Sequence, residues 1–142
     1  MTLPTAPSGF PARILIVDDE RHNRQLLEVM LAQEGFQLRL ASGGEEALAM
    51  VAAEQPDLIL LDVMMPGMDG YQVATRIKGD PATQHIRIIM LTALDDRNSR
   101  QHGLGTGAEG YLAKPVNRAE LTAGVHALLR LSPHGYRRDD GT

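Results

Sequence analysis

The chain has no cysteine and no tryptophan, and its aromatics amount to three Tyr and two Phe in 142 residues. Without cysteine there is no disulfide, no thiolate-bound zinc, no iron–sulfur cluster and no thiol nucleophile. No apolar run approaches the roughly 20 residues that a membrane-spanning helix needs. Residues 1–12 hold three prolines and small polar residues, with neither the basic stretch nor the apolar core of a signal peptide. Positive charge is also scarce: Lys and Arg total 14 against 18 Asp and Glu, a formal net charge of −4. That balance speaks against non-specific nucleic-acid binding, which needs a basic face. Together these absences point to a soluble protein with no direct nucleic-acid or membrane contact. The lack of cysteine suits a reducing, cytoplasmic compartment.

Length and composition suggest one domain with a single core, since a chain of this size buries roughly 70% of its unfolded surface without staples. We expect a folded unit at residues 13–131. A flexible arm at 1–12 precedes it, and a polar tail or linker at 132–142, with Pro133, Gly135 and Gly141, follows. Between the arms, strand-like and helix-like patterns alternate five times. Ile14-Leu15-Ile16-Val17, Leu58-Ile59-Leu60-Leu61 and Ile88-Ile89-Met90-Leu91 are apolar at every position, as suits strands covered on both faces of a parallel sheet. Phe36, Leu38 and Leu40 instead alternate with Gln37 and Arg39, and Tyr111-Leu112-Ala113 is short; both suit edge strands.

The helices follow each strand. Leu26, Leu27, Met30 and Leu31 form an apolar face stopped by Gly35, and Ala47, Leu48, Val51 and Ala52 form a second. A third runs near 71–78 and ends at Gly79-Asp80-Pro81. The fourth, near 96–106, is weak, because Gly103 and Gly105 each cost about 1 kcal/mol against Ala inside a helix. The last starts at Asn117 with Glu120 three residues on, and buries Leu121, Val125, Leu128 and Leu129. Edge strands second and fifth, with right-handed crossovers, predict an α/β fold: a doubly wound, flavodoxin-like, five-stranded parallel sheet of order 2-1-3-4-5. Ligands of such sheets bind beyond the carboxyl ends of the strands.

Those ends carry charge. Asp18, Asp19 and Glu20 follow the first strand, Asp62 the third, Thr92 the fourth, and Lys114-Pro115 the fifth. Carboxylates about 5 Å apart at an effective dielectric near 20 repel by roughly 3 kcal/mol per pair. Lys114 supplies one compensating charge, and a divalent cation would supply the rest. An all-oxygen donor set without His or Cys, and without the spacing of a calcium-binding loop, selects Mg²⁺. A carboxylate beside such a cation can attack phosphorus and form an acyl phosphate. Asp62, alone at the end of a central strand, is the best nucleophile, while Asp18 and Asp19 look like a metal pair. Each residue also has an ordinary explanation. The acidic run would favour a helix N-terminus, Asp62 would cap a turn, and Lys114 would be a solvated loop lysine. These would all have to hold at once, at four strand ends. The methionines, three of them at 64, 65 and 68, read as gap-fillers, and the five His show no ligand spacing.

Ile14-Leu15-Ile16-Val17-Asp18-Asp19-Glu20, Leu60-Leu61-Asp62 with Met64-Met65-Pro66-Gly67, Leu91-Thr92-Ala93, and Tyr111-Leu112-Ala113-Lys114-Pro115 together resemble the receiver domain of two-component response regulators. The resemblance implies that Asp62 accepts the phosphoryl group, with Thr92 and Lys114 contacting it. It implies Mg²⁺ held by Asp19 directly, Asp18 through water, Asp62, and the backbone carbonyl of Met64. Tyr111 would be the aromatic that moves with Thr92, and Lys114-Pro115 a cis peptide. A sensor histidine kinase or histidine phosphotransfer protein would be the donor. The fourth helix, fifth strand and last helix would form the output face for a downstream protein or domain, and for a homodimer. Gly105 and Gly110 depart from the family's usual residues, so the fourth helix is expected to fray.

Other readings fit less well. A Mg²⁺-dependent phosphatase similar to haloacid dehalogenases needs its D-x-D after the first strand, whereas here the pair is adjacent. A flavodoxin needs a phosphate-cradling Ser/Thr/Gly loop where Asp18-Asp19-Glu20 stands. A degenerate, phosphate-independent binding module would not need Asp62, Thr92 and Lys114 intact. The sequence leaves open whether the receiver stands alone or belongs to a larger regulator. Met64 and Leu94 occupy the positions that tune dephosphorylation in the family, and both are bulky and apolar. Met64→Asn is therefore expected to shorten the life of the phosphorylated state, measured as the decay of the acyl-phosphate adduct; an unchanged decay rate would contradict it.

Overall fold

In the structure, a computed structural model, residues 11–93 and 106–131 are described. Strands β1 (Arg13–Val17), β2 (Gln37–Ala41), β3 (Leu58–Asp62), β4 (Arg87–Ala93) and β5 (Gly110–Lys114) form one sheet. Every neighbouring pair is parallel and the order is β2-β1-β3-β4-β5, as the edge-strand reasoning expects. Helices α1 (Arg21–Leu31), α2 (Gly44–Ala53), α3 (Gly70–Lys78) and α4 (Arg118–Leu131) complete the described elements, with a 3₁₀ turn at Ala32–Glu34. The fourth helix expected near 96–106 lies outside the described residues, apart from Thr106.

Alternation along the strands splits the core into two layers. Leu15, Val17, Ile59, Leu61, Ile88 and Met90 face α2 and α3, meeting Ala47, Val51, Val73, Ala74 and Ile77. Ile14, Ile16, Leu58, Leu60, Ile89 and Leu91 face α1 and α4, meeting Leu27, Leu31, Leu121, Val125 and Leu129. The three central strands are buried on both faces, which is why they read as unbroken apolar runs. Each fully buried Ile or Leu contributes about 1.5–3 kcal/mol relative to exposure. On β2 the polar residues Gln37 and Arg39 are exposed and the leucines half-buried, the pattern of an edge.

Two helix faces depart from the pattern reading. Leu26 is 46% exposed, because the buried stripe of α1 runs through Leu27 and Leu31 and leaves Leu26 at the carboxyl edge of the sheet. Ala52 is exposed on α2, whose contact with the core runs through Gly44, Ala47 and Val51.

Local chemistry sets the helix ends. Gly35 takes φ 82° after the 3₁₀ turn, the left-handed stop that glycine allows without strain. Asp69 and Gln72 form a reciprocal capping box at the start of α3. Asn117 Oδ1 accepts from the Glu120 amide at 2.7 Å and caps α4. At the amino edge of the sheet, Glu109 accepts from Lys78, from Arg87 and from the amide of Ile88. Lys78 also donates to the carbonyls of Gln84 and Ile86, so α3, β4 and the entry to β5 are tied together there.

Gly70 starts α3 directly against the end of β3. A Cβ at that position would overlap the carbonyl oxygen of Asp62, and the Gly70 amide donates to Val63 O at 3.0 Å. Gly70→Ala is therefore expected to lower stability by about 2 kcal/mol, read as a drop in denaturation midpoint. At Gly43 an added Cβ meets nothing within 4 Å. Gly43→Ala should cost no more than about 1 kcal/mol, and equal losses at the two positions would refute the packing account.

Candidate functional site

The parallel register brings the carboxyl ends of β1, β3, β4 and β5 to one edge, and the singled-out residues with them. Val17 pairs with Leu61, Asp62 with Leu91, and Ala93 with Lys114. Asp62, Thr92 and Lys114 belong to the strands themselves, one or two residues further in than the sequence pattern suggests. Asp18 and Asp19 follow β1 and precede α1. Asp18 is fully buried, Asp62 is 2% exposed, and Asp19 is exposed.

Lys114 Nζ donates to Asp62 Oδ1 at 2.7 Å and stands 3.6 Å from Asp18 Oδ2. One ammonium thus lies between two buried carboxylates. The Glu20 amide donates to Asp18 Oδ1 at 2.9 Å, and the Met64 amide approaches Asp62 Oδ1 at 3.4 Å. Asp18 Oδ2 is buried and accepts no hydrogen bond. Carboxylate oxygens of Asp18, Asp19 and Asp62 lie within 4.8 Å of one another. A buried carboxylate oxygen without a donor, beside two more carboxylates, fits a hard divalent cation. The Lys114–Pro115 peptide is cis.

Thr92 is buried at the carboxyl end of β4, beside Ala113 in register. Tyr111 is half-buried and packs on the α2–α3 side of the core. Leu94 lies outside the described residues. A cavity of about 460 Å³ opens at this edge, walled by Leu26, Leu27 and Met30 of α1 and by Pro115 and Val116, with Asp18, Asp62 and Lys114 at its polar end. The sequence reading missed Arg24. Its guanidinium donates to the Asp18 carbonyl at 2.7 Å and pins the loop that carries the acidic pair. A cation one turn inside the helix after an acidic run is the signal that could have found it.

Burial raises the Asp62 carboxyl above its ordinary value of 3.8, and the Asp18 charge adds to this; the hydrogen bond from Lys114 opposes both without cancelling them. Burial alone would lower Lys114, but its hydrogen bond and charge contact with Asp62, and the charge of Asp18, hold it above its ordinary 10.5. For an acid whose pKa is raised by folding, the unfolded state ionises first as pH climbs, so stability falls between 3.8 and the folded value and stays lowered above it. The Lys114 contribution has the other sign: it is present below 10.5 and is lost as pH rises through the folded value. Without divalent cation, Asp62→Asn is therefore expected to melt a few degrees higher than the wild type at neutral pH. That gain should vanish below pH 3.8, where both chains are neutral at this position. A lower melting temperature of the variant at pH 7 would contradict the sign.

Comparison with known proteins agrees with the geometry. The sequence pattern of the response regulator receiver domain matches residues 14–126. The response regulator PleD of Caulobacter vibrioides is 50% identical over 119 residues, covering 84% of this chain and 26% of PleD. The response regulator MprA of Mycobacterium tuberculosis is 44% identical over 118 residues, 83% of this chain and 50% of MprA. The chain thus spans between a quarter and a half of the length of these relatives. Among solved structures, a response regulator from Chloroflexus aurantiacus superposes with TM-score 0.81 at 39% identity, covering 83% of this chain and 97% of that one. The chemotaxis protein CheY4 of Vibrio cholerae gives 0.78 at 31% identity, covering 83% and 98%. Receiver domains are signalling modules, and among the described residues no helix is long and apolar enough to cross a membrane. On its fold, the residues at its strand ends and the extent of these matches, the chain belongs to the response regulator receiver domain family of two-component signalling.

Proposed function

We propose that the protein is a phosphorylation-dependent switch in which Asp62 takes a phosphoryl group from a phosphohistidine of a sensor kinase or phosphotransfer protein. The observation that carries this reading is the buried Asp62 carboxylate, bonded to Lys114 at 2.7 Å beside an Asp18 oxygen that accepts no hydrogen bond and has the same ammonium 3.6 Å away. Asp62 attacks phosphorus, the new O–P bond forms an acyl phosphate, and the P–N bond to the donor imidazole breaks. Lys114 already sits on the attacking carboxylate and would neutralise charge on the transferred oxygens. Thr92, at the same edge, offers a hydroxyl donor. Asp18, Asp19, Asp62 and the Met64 carbonyl would hold Mg²⁺, which supplies positive charge to the phosphoryl oxygens when bound.

The donor must reach Asp62 through the cavity mouth. Leu26, 46% exposed, lines the cavity, and Val29, 69% exposed, lies three residues further along α1, so an apolar ridge leads away from the entry and suits an apolar helical face of the donor. Thr92 and Tyr111 would carry the phosphorylated state outward to the face of β5 and α4. A downstream protein or domain, or a second copy of the chain, would bind there.

Acetyl phosphate with Mg²⁺ tests the reading. A single labile phosphoryl adduct is expected by intact mass, absent in Asp62→Asn and strongly reduced in Lys114→Met. No adduct in the wild type would leave only a phosphate-independent binding module. Multiple turnover of an external phosphate ester would make the protein a hydrolase.

A further inference from the structure

Three large apolar side chains are exposed among the described residues: Leu26, Val29 and, at 71%, Met64. Met64 follows the proposed phosphoacceptor by two positions, its amide approaches Asp62 Oδ1 at 3.4 Å, and the residue lines the cavity with Asp62 and Lys114. Its neighbour Met65 is 8% exposed and Met90 is fully buried, while Met30, Met50 and Met68 are partly covered. The most accessible thioether of the described residues therefore stands at the mouth of the site.

We propose that Met64 is a peroxide-oxidisable site whose oxidation shortens the life of the phosphorylated state. This rests on Asp62 being the phosphoacceptor. Susceptibility of methionine follows access, which separates Met64 from Met65 although they are adjacent in sequence. The Met64 sulfur attacks one oxygen of hydrogen peroxide, the O–O bond breaks, and water leaves after proton transfer. Sulfur loses two electrons and peroxide gains two. The product sulfoxide is polar and accepts hydrogen bonds, where the thioether is apolar. Beside an acyl phosphate on Asp62 it would hold a water that the apolar thioether does not bind, favouring hydrolysis. A thiol-dependent sulfoxide reductase would restore the starting state.

The test uses the full chain and hydrogen peroxide at low excess, followed by peptide mapping. Met64 sulfoxide is expected first, with Met65 and Met90 unmodified; preferential oxidation of another described methionine would overturn the site assignment. Oxidised and untreated protein are then loaded with acetyl phosphate and Mg²⁺, and adduct decay is followed. A several-fold faster decay after oxidation is expected. Equal decay would overturn the coupling while leaving Asp62 as acceptor intact. No adduct in the untreated protein would instead overturn the phosphoacceptor reading, and the coupling with it. In Met64→Leu, decay should be the same before and after peroxide. A peroxide effect persisting in that variant would assign it to another residue and overturn the proposal.

Discussion

Two buried carboxylates share one ammonium at the open edge of the sheet, and much of the molecule follows from that imbalance. Lys114 reaches both Asp62 and Asp18, yet it cannot neutralise both together with Asp19. Burial keeps the Asp62 carboxyl raised despite its close lysine. The folded state thus carries an electrostatic cost at the place where positive charge and phosphoryl oxygens would be useful. That cost is offset by a core buried on both faces of three central strands, where each Ile or Leu returns about 1.5–3 kcal/mol. A site of this kind needs a scaffold with stability to spare, which the strands buried on both faces supply.

The two edges of the sheet have opposite characters. At the amino edge, Glu109 gathers Lys78, Arg87 and the Ile88 amide into one hydrogen-bonded network. At the carboxyl edge, Asp18 Oδ2 is left without a donor and a cavity of about 460 Å³ lies open. One end is cross-linked by these bonds, and at the other a carboxylate oxygen beside an open cavity accepts no hydrogen bond. An incomplete polar cluster at the opposite edge from a cross-linked one gives a ligand something to change without loosening the whole sheet.

The fold was legible because strand burial writes itself into sequence. Runs such as Leu58-Ile59-Leu60-Leu61 have no polar face to show, and Phe36 to Leu40 alternates because one side of an edge strand is wet. The acidic residues and Lys114 were legible because they sit where the apolar runs stop. Tertiary choices were not. Which of Leu26 and Leu27 is buried depends on how α1 rolls against the sheet and α4, and helical spacing admits both. Arg24 was missed because its partner is a backbone carbonyl, so its only trace in residue types is a cation one turn after an acidic run. The close approach of Gly70 to Asp62 is likewise set by how α3 docks, since an isolated glycine at a helix start has several ordinary explanations. The exposure of Met64 next to a buried Met65 shows the same limit: the two residues are chemically identical, and only the turn of the loop separates them.

The parallel register has a consequence for synthesis. Asp62 and Lys114 are 52 residues apart in sequence, and they meet only after β4 has paired with β3 and β5 with β4. A nascent or truncated chain that lacks β5 holds the acidic residues but not their cation. Assembly of the charged centre therefore waits on the finished sheet, because the ammonium that faces Asp62 and Asp18 arrives with its last strand.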